Sequence, residues 1–226
     1  MLKKLLLVLA IAACGIGIWL ATRPSLPSAD QVAGLACARD ASQLVLVGGT
    51  GGSDALFAVY AKTGGSWQKV LEGKALIGKN GLGKTKEGDA KTPIGVFHFT
   101  KAFGIAPDPG CRLPYTQVDD SHYWVGDSAS ARYNQFVSTR DAADFDTKES
   151  EHIVEYVQPY QYCMNISYNE EGKPGLGSAI FLHCYGTKPY TGGCVAIPEA
   201  DMKRFLTLVQ PDCRIAIAAI GDLAKF

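Results

Sequence analysis

Ile180-Phe-Leu-His183-Cys-Tyr-Gly-Thr-Lys-Pro-Tyr-Thr191-Gly-Gly-Cys194-Val-Ala-Ile197 is the stretch whose reading decides the fold. A short apolar run ends at His183, a small polar loop follows, and a glycine pair delivers Cys194 into a second apolar run. Two adjacent strands of this kind bring the histidine and the cysteine together at the ends of their ladder. A thiol attacks as thiolate, and a free cysteine is mostly protonated near neutral pH. A histidine within hydrogen-bond reach takes that proton and, once cationic, stabilises the thiolate. Gly192 and Gly193 allow positive φ and can turn amide N–H groups toward an oxyanion. This pattern suits Cys-His acyl transfer. A buried cysteine behind an ordinary hairpin turn gives the same letters, and one Cys near one His is a weak signal by itself.

The segment resembles the catalytic motif of the L,D-transpeptidase (YkuD-like) family, in which a histidine precedes a Ser/Thr-x-Gly-Cys element. Here these are His183 and Thr191-Gly192-Gly193-Cys194. Upstream, Gly78-Lys79-Asn80-Gly81-Leu82-Gly83-Lys84-Thr85 and Lys91-Thr92-Pro93-Ile94-Gly95-Val96-Phe97 resemble the family's Gly-rich turn and its Thr-Pro-x-Gly-x-Phe strand entry. The resemblance runs over residues 42–220. Cys184 stands where members often have Gly, Ala196 where they have Arg or Asn, and the loop between His183 and Cys194 is short. These departures mark a divergent branch and bear on how the donor peptide is recognised.

The resemblance implies a mainly β, β-sandwich-like catalytic domain with a C-terminal helix and long loops. It implies Cys194 as nucleophile, carrying a thioester, and His183 as general base and then acid. The Gly193 and Cys194 amides would serve the oxyanion, with Thr191 and Gly192 against the substrate. No cofactor or metal is expected. The substrate class would be peptidoglycan stem peptides, in the periplasm or cell envelope. No carboxylate lies near His183 in sequence, so a backbone carbonyl is its expected orienting partner.

Bulk composition agrees with a single domain. The 226 residues are 47% apolar and 19% charged, with 25 glycines and 11 prolines, which suits a β-rich core with many turns. Formal net charge is zero and no Lys/Arg block exists, so nucleic acid is not an expected partner. Lys3 and Lys4 precede an apolar run over residues 5–21, and Arg23-Pro-Ser-Leu-Pro27 follows. Residues 1–22 read as a signal peptide or membrane anchor, cleaved, retained or lipidated at Cys14, and as the only expected contact with a membrane. Residues 23–41 read as a linker and 42–226 as the catalytic domain. Outside the cytoplasm disulfides are permitted, and Cys37 and Cys213 are placed to staple the domain's two ends. The remaining connectivity stays open.

Along the chain, Leu44-Val-Leu-Val47, Ala55-Leu-Phe-Ala-Val-Tyr60 and Trp67-Gln-Lys-Val-Leu71 predict strands, with a hairpin turn at Gly48-Gly-Thr-Gly-Gly52. Residues 78–92 lack apolar periodicity and predict a loop passing the substrate cleft. Tyr133 and Asn134, in a patch rich in aromatics and amides, are candidates for a cleft wall. So is His152, in the polar cluster Ser150-Glu151-His152-Ile153. Tyr162, Met164, Ile166 and Tyr168 alternate as a strand does. Met202, Phe205, Leu206 and Val209 recur at helical spacing after Pro198. His98, His122, His152 and His183 are scattered without HExxH, which argues against a metallopeptidase. Two other readings stay in play. One is an L,D-carboxypeptidase or endopeptidase that uses water at the same site, and the other is an envelope binding module without turnover.

Overall fold

The computed structural model describes residues 24–142 and 144–226; the expected signal or anchor segment, residues 1–22, lies outside them. The chain begins its sheet with a meander: β1 (Gln43–Gly51), β2 (Asp54–Thr63) and β3 (Ser66–Leu76), each antiparallel to the next. The last strand, β12 (Arg214–Ala219), returns parallel to β1 and completes this layer. A second layer holds β11 (Val195–Ile197), β10 (Phe181–Cys184), β9 (Cys163–Ile166), β4 (Gly95–Gly104) and the short β5 (Tyr115–Gln117).

Two corners join the layers. β4 pairs through residues 95–98 with β12 and through residues 99–103 with β9, shifting register between Phe99 and Lys101. A strand that changes sheets at a bulge is the usual way such corners form. At the other corner, β3 and β11 meet at the single pair Leu76 and Ala196. The mainly β, sandwich-like architecture expected from the sequence is therefore the observed one, flattened and joined at both edges.

Alternation along the strands sorts the core. Val45, Val47, Phe57 and Val59 of the first layer face Met164, Ile166, Leu182 and Val195 of the second. The α-helix Glu199–Leu208 adds Met202, Phe205 and Leu206 to that interior, with Val209 just beyond its end. Glu199 and Asp201 occupy its first turn, where the helix dipole favours negative charge. A second small sheet, β6 (His122–Trp124) flanked by β7 (Phe136–Ser138) and β8 (Glu151–His152), lies over the outer face of the second layer.

Three expectations need correcting. The supposed linker is folded. Ser28 and Gln31 form a capping box on a one-turn helix, Ala29–Val32, and Val32, Leu35, Cys37 and Ala38 are buried against Leu44, Leu46, Tyr60 and Ala218. Its many polar and small residues hid four buried positions that cover the outside of the first layer. Cys37 and Cys213 are both free thiols, and they pack in separate clusters, Cys213 in the central core and Cys37 on the outer face. Gly48 and Gly49 do not turn; they continue β1 opposite Ala218 and Ala219. A Cβ at Gly48 would come within 2.8 Å of Ile220, and one at Gly49 within 2.9 Å of Leu82. These glycines serve close packing. Among the described residues no helix is long and apolar enough to cross a membrane.

Candidate active site

β10 and β11 run parallel, with Leu182 beside Val195 and His183 beside Ala196. Leu182 and Cys184 point into the central core, so His183 and Phe181 point to the other face. There the His183 ring meets the edge of Tyr160 with centroids 5.5 Å apart. His183 Nδ1 lies 2.7 Å from the Cys184 carbonyl oxygen. A carbonyl only accepts, so Nδ1 carries the proton and Nε2 keeps its lone pair. Nε2 has no hydrogen-bond partner among the described residues, and His183 lines the cavity. Burial pulls the imidazole down to about 4, against the opposing pull of the Cys184 carbonyl.

Cys194 lies just before β11 and lines the same cavity. Its Sγ accepts from the Phe181 amide at 3.3 Å and donates to the Ala179 carbonyl at 3.2 Å. Burial, and then the Glu151 carboxylate, push this thiol up to about 12, while the Phe181 amide and Lys84 pull weakly the other way. The resting pair is therefore a neutral thiol and a neutral imidazole. The thiolate–imidazolium pair that the sequence suggested is not the resting form, because burial of the two groups disfavours both charges.

The turn before Cys194 is held from two sides. Gly193 has φ of 148°, and a Cβ there would lie 2.9 Å from the Lys91 carbonyl. The Thr191 and Thr92 hydroxyls both donate to the Cys194 carbonyl, at 2.7 and 3.0 Å. The Gly193 amide donates to Thr191 Oγ1 at 3.1 Å. That amide is thus already engaged and is not free for the oxyanion role expected of it. The amides of Gly192 and Cys194 have no hydrogen-bond partner among the described residues. Thr191 and Gly192 both line the cavity, but the buried Thr191 hydroxyl is a strut for the turn.

The loop over residues 78–92 closes one side of the cavity. Within it, Lys84 Nζ pairs with Asp89 Oδ1 at 3.1 Å, their side chains only 2% and 7% exposed. Glu151 of β8 also reaches into the cavity and accepts from the Tyr160 hydroxyl at 2.6 Å. Burial raises the Glu151 carboxyl to about 7; the Tyr160 bond opposes this and the charge of Glu87 adds to it. The cavity holds about 890 Å³.

Three predicted wall residues lie elsewhere. Tyr133 is buried and donates to Glu87 at 2.5 Å. Asn134 accepts from Trp124 Nε1 and the Ala179 amide and donates to the carbonyls of Tyr168 and Asn169, so its amide is fully used. His152 stacks on Tyr123, with Nε2 2.9 Å from the Asp120 carbonyl and Nδ1 3.1 Å from Glu155. None of the three lines the cavity. Polar and aromatic composition marks a strut as readily as a wall. Lys84, Glu151 and Tyr160, which do line it, were missed as individuals. Alternation held a clue: in a strand containing Glu151 and His152, only one can face the site. Among the described residues, no three His, Cys, Asp or Glu side chains converge as metal ligands would.

Among solved structures, the helical cell shape determining protein Pgp2 (K307A mutant) from Campylobacter jejuni is 19% identical, with a TM-score of 0.47 over 82% of this chain and 53% of its own. Bd1075 of Bdellovibrio bacteriovorus is 17% identical, with a TM-score of 0.43 over 79% and 48%. The Enterococcus faecium L,D-transpeptidase C442S mutant is 13% identical, with a TM-score of 0.34 over 80% and 50%. The chain spans about half the length of these solved chains. No curated protein matches it. The sequence matches the L,D-transpeptidase catalytic domain (YkuD) from residue 53 to residue 217, well over half of its 226 residues, and the chain belongs to that family.

Proposed function

We propose that this protein transfers acyl groups between peptidoglycan stem peptides outside the cytoplasm, through a thioester on Cys194. The observation that carries the reading is the free Nε2 of a neutral His183 in the cavity that also exposes Cys194. Because both groups rest uncharged, the Cys194 proton passes to Nε2 as sulfur attacks the donor carbonyl. The oxyanion is met by the open amides of Cys194 and Gly192. As the tetrahedral intermediate collapses, the C–N bond breaks and the imidazolium protonates the departing amine. An amine of a second stem then attacks the thioester carbon and expels the thiolate. His183 takes the proton released by that amine and returns it to sulfur. The basic and apolar segment at Lys3, Lys4 and residues 5–21 supports the placement outside the cytoplasm.

Intact mass measurement tests this reading, using a tetrapeptide stem as donor with and without an amine acceptor. A mass gain on Cys194, discharged by the amine, is expected. Cys194→Ala should give no adduct and keep its fold. His183→Ala should slow acylation by about 10²–10⁴-fold. A product formed only with water would assign the carboxypeptidase reaction. An adduct on Cys184, or none in the wild type, would sink the proposal.

A further inference from the structure

Resting on the acyl-transfer reading, we propose that Glu151 receives the ammonium group of the acyl acceptor, an amine-bearing peptide, and takes its proton before attack. The carboxylate enters the cavity from β8, where Glu151 stands opposite Trp124. One oxygen accepts the Tyr160 hydroxyl at 2.6 Å. The other has no hydrogen-bond partner among the described residues and is not sealed from the cavity.

Among the described residues no cation answers this charge. Lys84, which also lines the cavity, is bound to Asp89 and to the Lys86 carbonyl. Lys148 and Lys188 line the rim and form no ion pair with Glu151 among the described residues. The other titratable groups that feel Glu151 are Glu87, Tyr156, Tyr160, Cys163 and Cys194, and none of them carries positive charge. Glu87 is itself already engaged by the hydroxyls of Tyr133 and Ser178. A half-buried carboxylate without a counter-ion is costly unless something supplies one. An incoming ammonium does.

The step balances. The ammonium gives one proton to the Glu151 carboxylate, which becomes a carboxylic acid, and the amine nitrogen regains its lone pair. That nitrogen forms the C–N bond to the thioester carbon as the C–S bond breaks. The second proton leaves nitrogen through His183 to the departing thiolate, and Glu151 later releases its own proton to solvent. Burial keeps the carboxyl near 7, so close to neutrality a proton can both arrive and leave. Pairing with the ammonium also relieves the charge that opposes ionisation of Cys194.

Preformed thioester, made with a tetrapeptide stem and isolated, is the material for the test. In Glu151→Gln the thioester should form at least as fast as in wild type, since a repelling charge is gone. Its discharge by a peptide amine at neutral pH should slow by about 10-fold or more. Discharge by hydroxylamine, which is uncharged at that pH, should keep pace with wild type within about 3-fold on the same scale. Tyr160→Phe keeps the ring against His183 but removes the bond that favours the carboxylate, so the pH midpoint of amine discharge should rise. Equal losses with amine and hydroxylamine would reduce Glu151 to a structural role. An undiminished amine discharge in Glu151→Gln would overturn the inference and leave the thioester reading standing, whereas no wild-type thioester would overturn both. Should Glu151→Gln fail to fold, an unmoved midpoint in Tyr160→Phe overturns the inference.

Discussion

Of the two charges that act on the Cys194 thiol, that of Lys84 is closed off and that of Glu151 is left open. Lys84 meets Asp89 at 3.1 Å, and Asp89 also accepts the amides of Thr85, Lys86 and Lys91 at 2.8 to 3.2 Å. Burial alone would push the Asp89 carboxyl up, but those amides and Lys84 outweigh it and hold it well below the usual carboxylate range. Glu151 has one hydroxyl against the same kind of penalty, and burial wins. The count of donors decides the sign of the shift. A carboxylate with four partners is finished as structure. One with a single partner still has an oxygen to offer.

Breaking the closed side should have the largest effect. Asp89→Ala leaves Lys84 buried and unpaired and strips three amides of their acceptor, so urea unfolding should show a loss of about 3–5 kcal/mol. A loss below about 1 kcal/mol would mean the pair is no more than a surface contact. The open side should respond to pH instead. The Glu151 carboxyl is raised from its ordinary value to about 7. Its contribution to stability is therefore present in full below the unfolded value and fades as pH rises through about 7. Glu151→Gln should thus stabilise the protein at pH 8 by on the order of 2 kcal/mol and do little at pH 4. A stability difference that does not vary with pH would contradict the open carboxylate. Cys184→Ala, away from both sides, should cost on the order of 1 kcal/mol and leave thioester formation intact. Its thiol packs in the central core and is pushed up to about 12 by burial. A large rate loss there would mean that the face opposite His183 takes part in the chemistry.

The legible parts of this molecule are those whose periodicity is long enough to read. β1 to β3, the helix after Pro198 and the final strand follow apolar alternation or helical spacing directly. His183 stood out because it ends a short apolar run, and Cys194 because a glycine pair leads it into another. The small sheet was illegible: its strands are two or three residues long, and bonds such as Asn134 to Ala179 and His152 to Asp120 position it. Those bonds join residues far apart in sequence, so no local pattern announces them. The loop over residues 78–92 was expected to pass the cleft, yet nothing in its composition singled out Lys84 from four other lysines between positions 74 and 91.

The clasp at the chain's ends has a mechanical meaning. Residues 26–38 and 220–226 close over the outside of the first layer, tied by the Cys37 amide to the Phe226 carbonyl at 2.7 Å. The central core lies between that surface and the face bearing Cys194. Any pull applied through residues 26–38 would therefore act on the rear of the body, on the face away from the cavity. A pull that parts residue 37 from residue 226 would load that bond directly, and neither residue belongs to the ladder between β10 and β11.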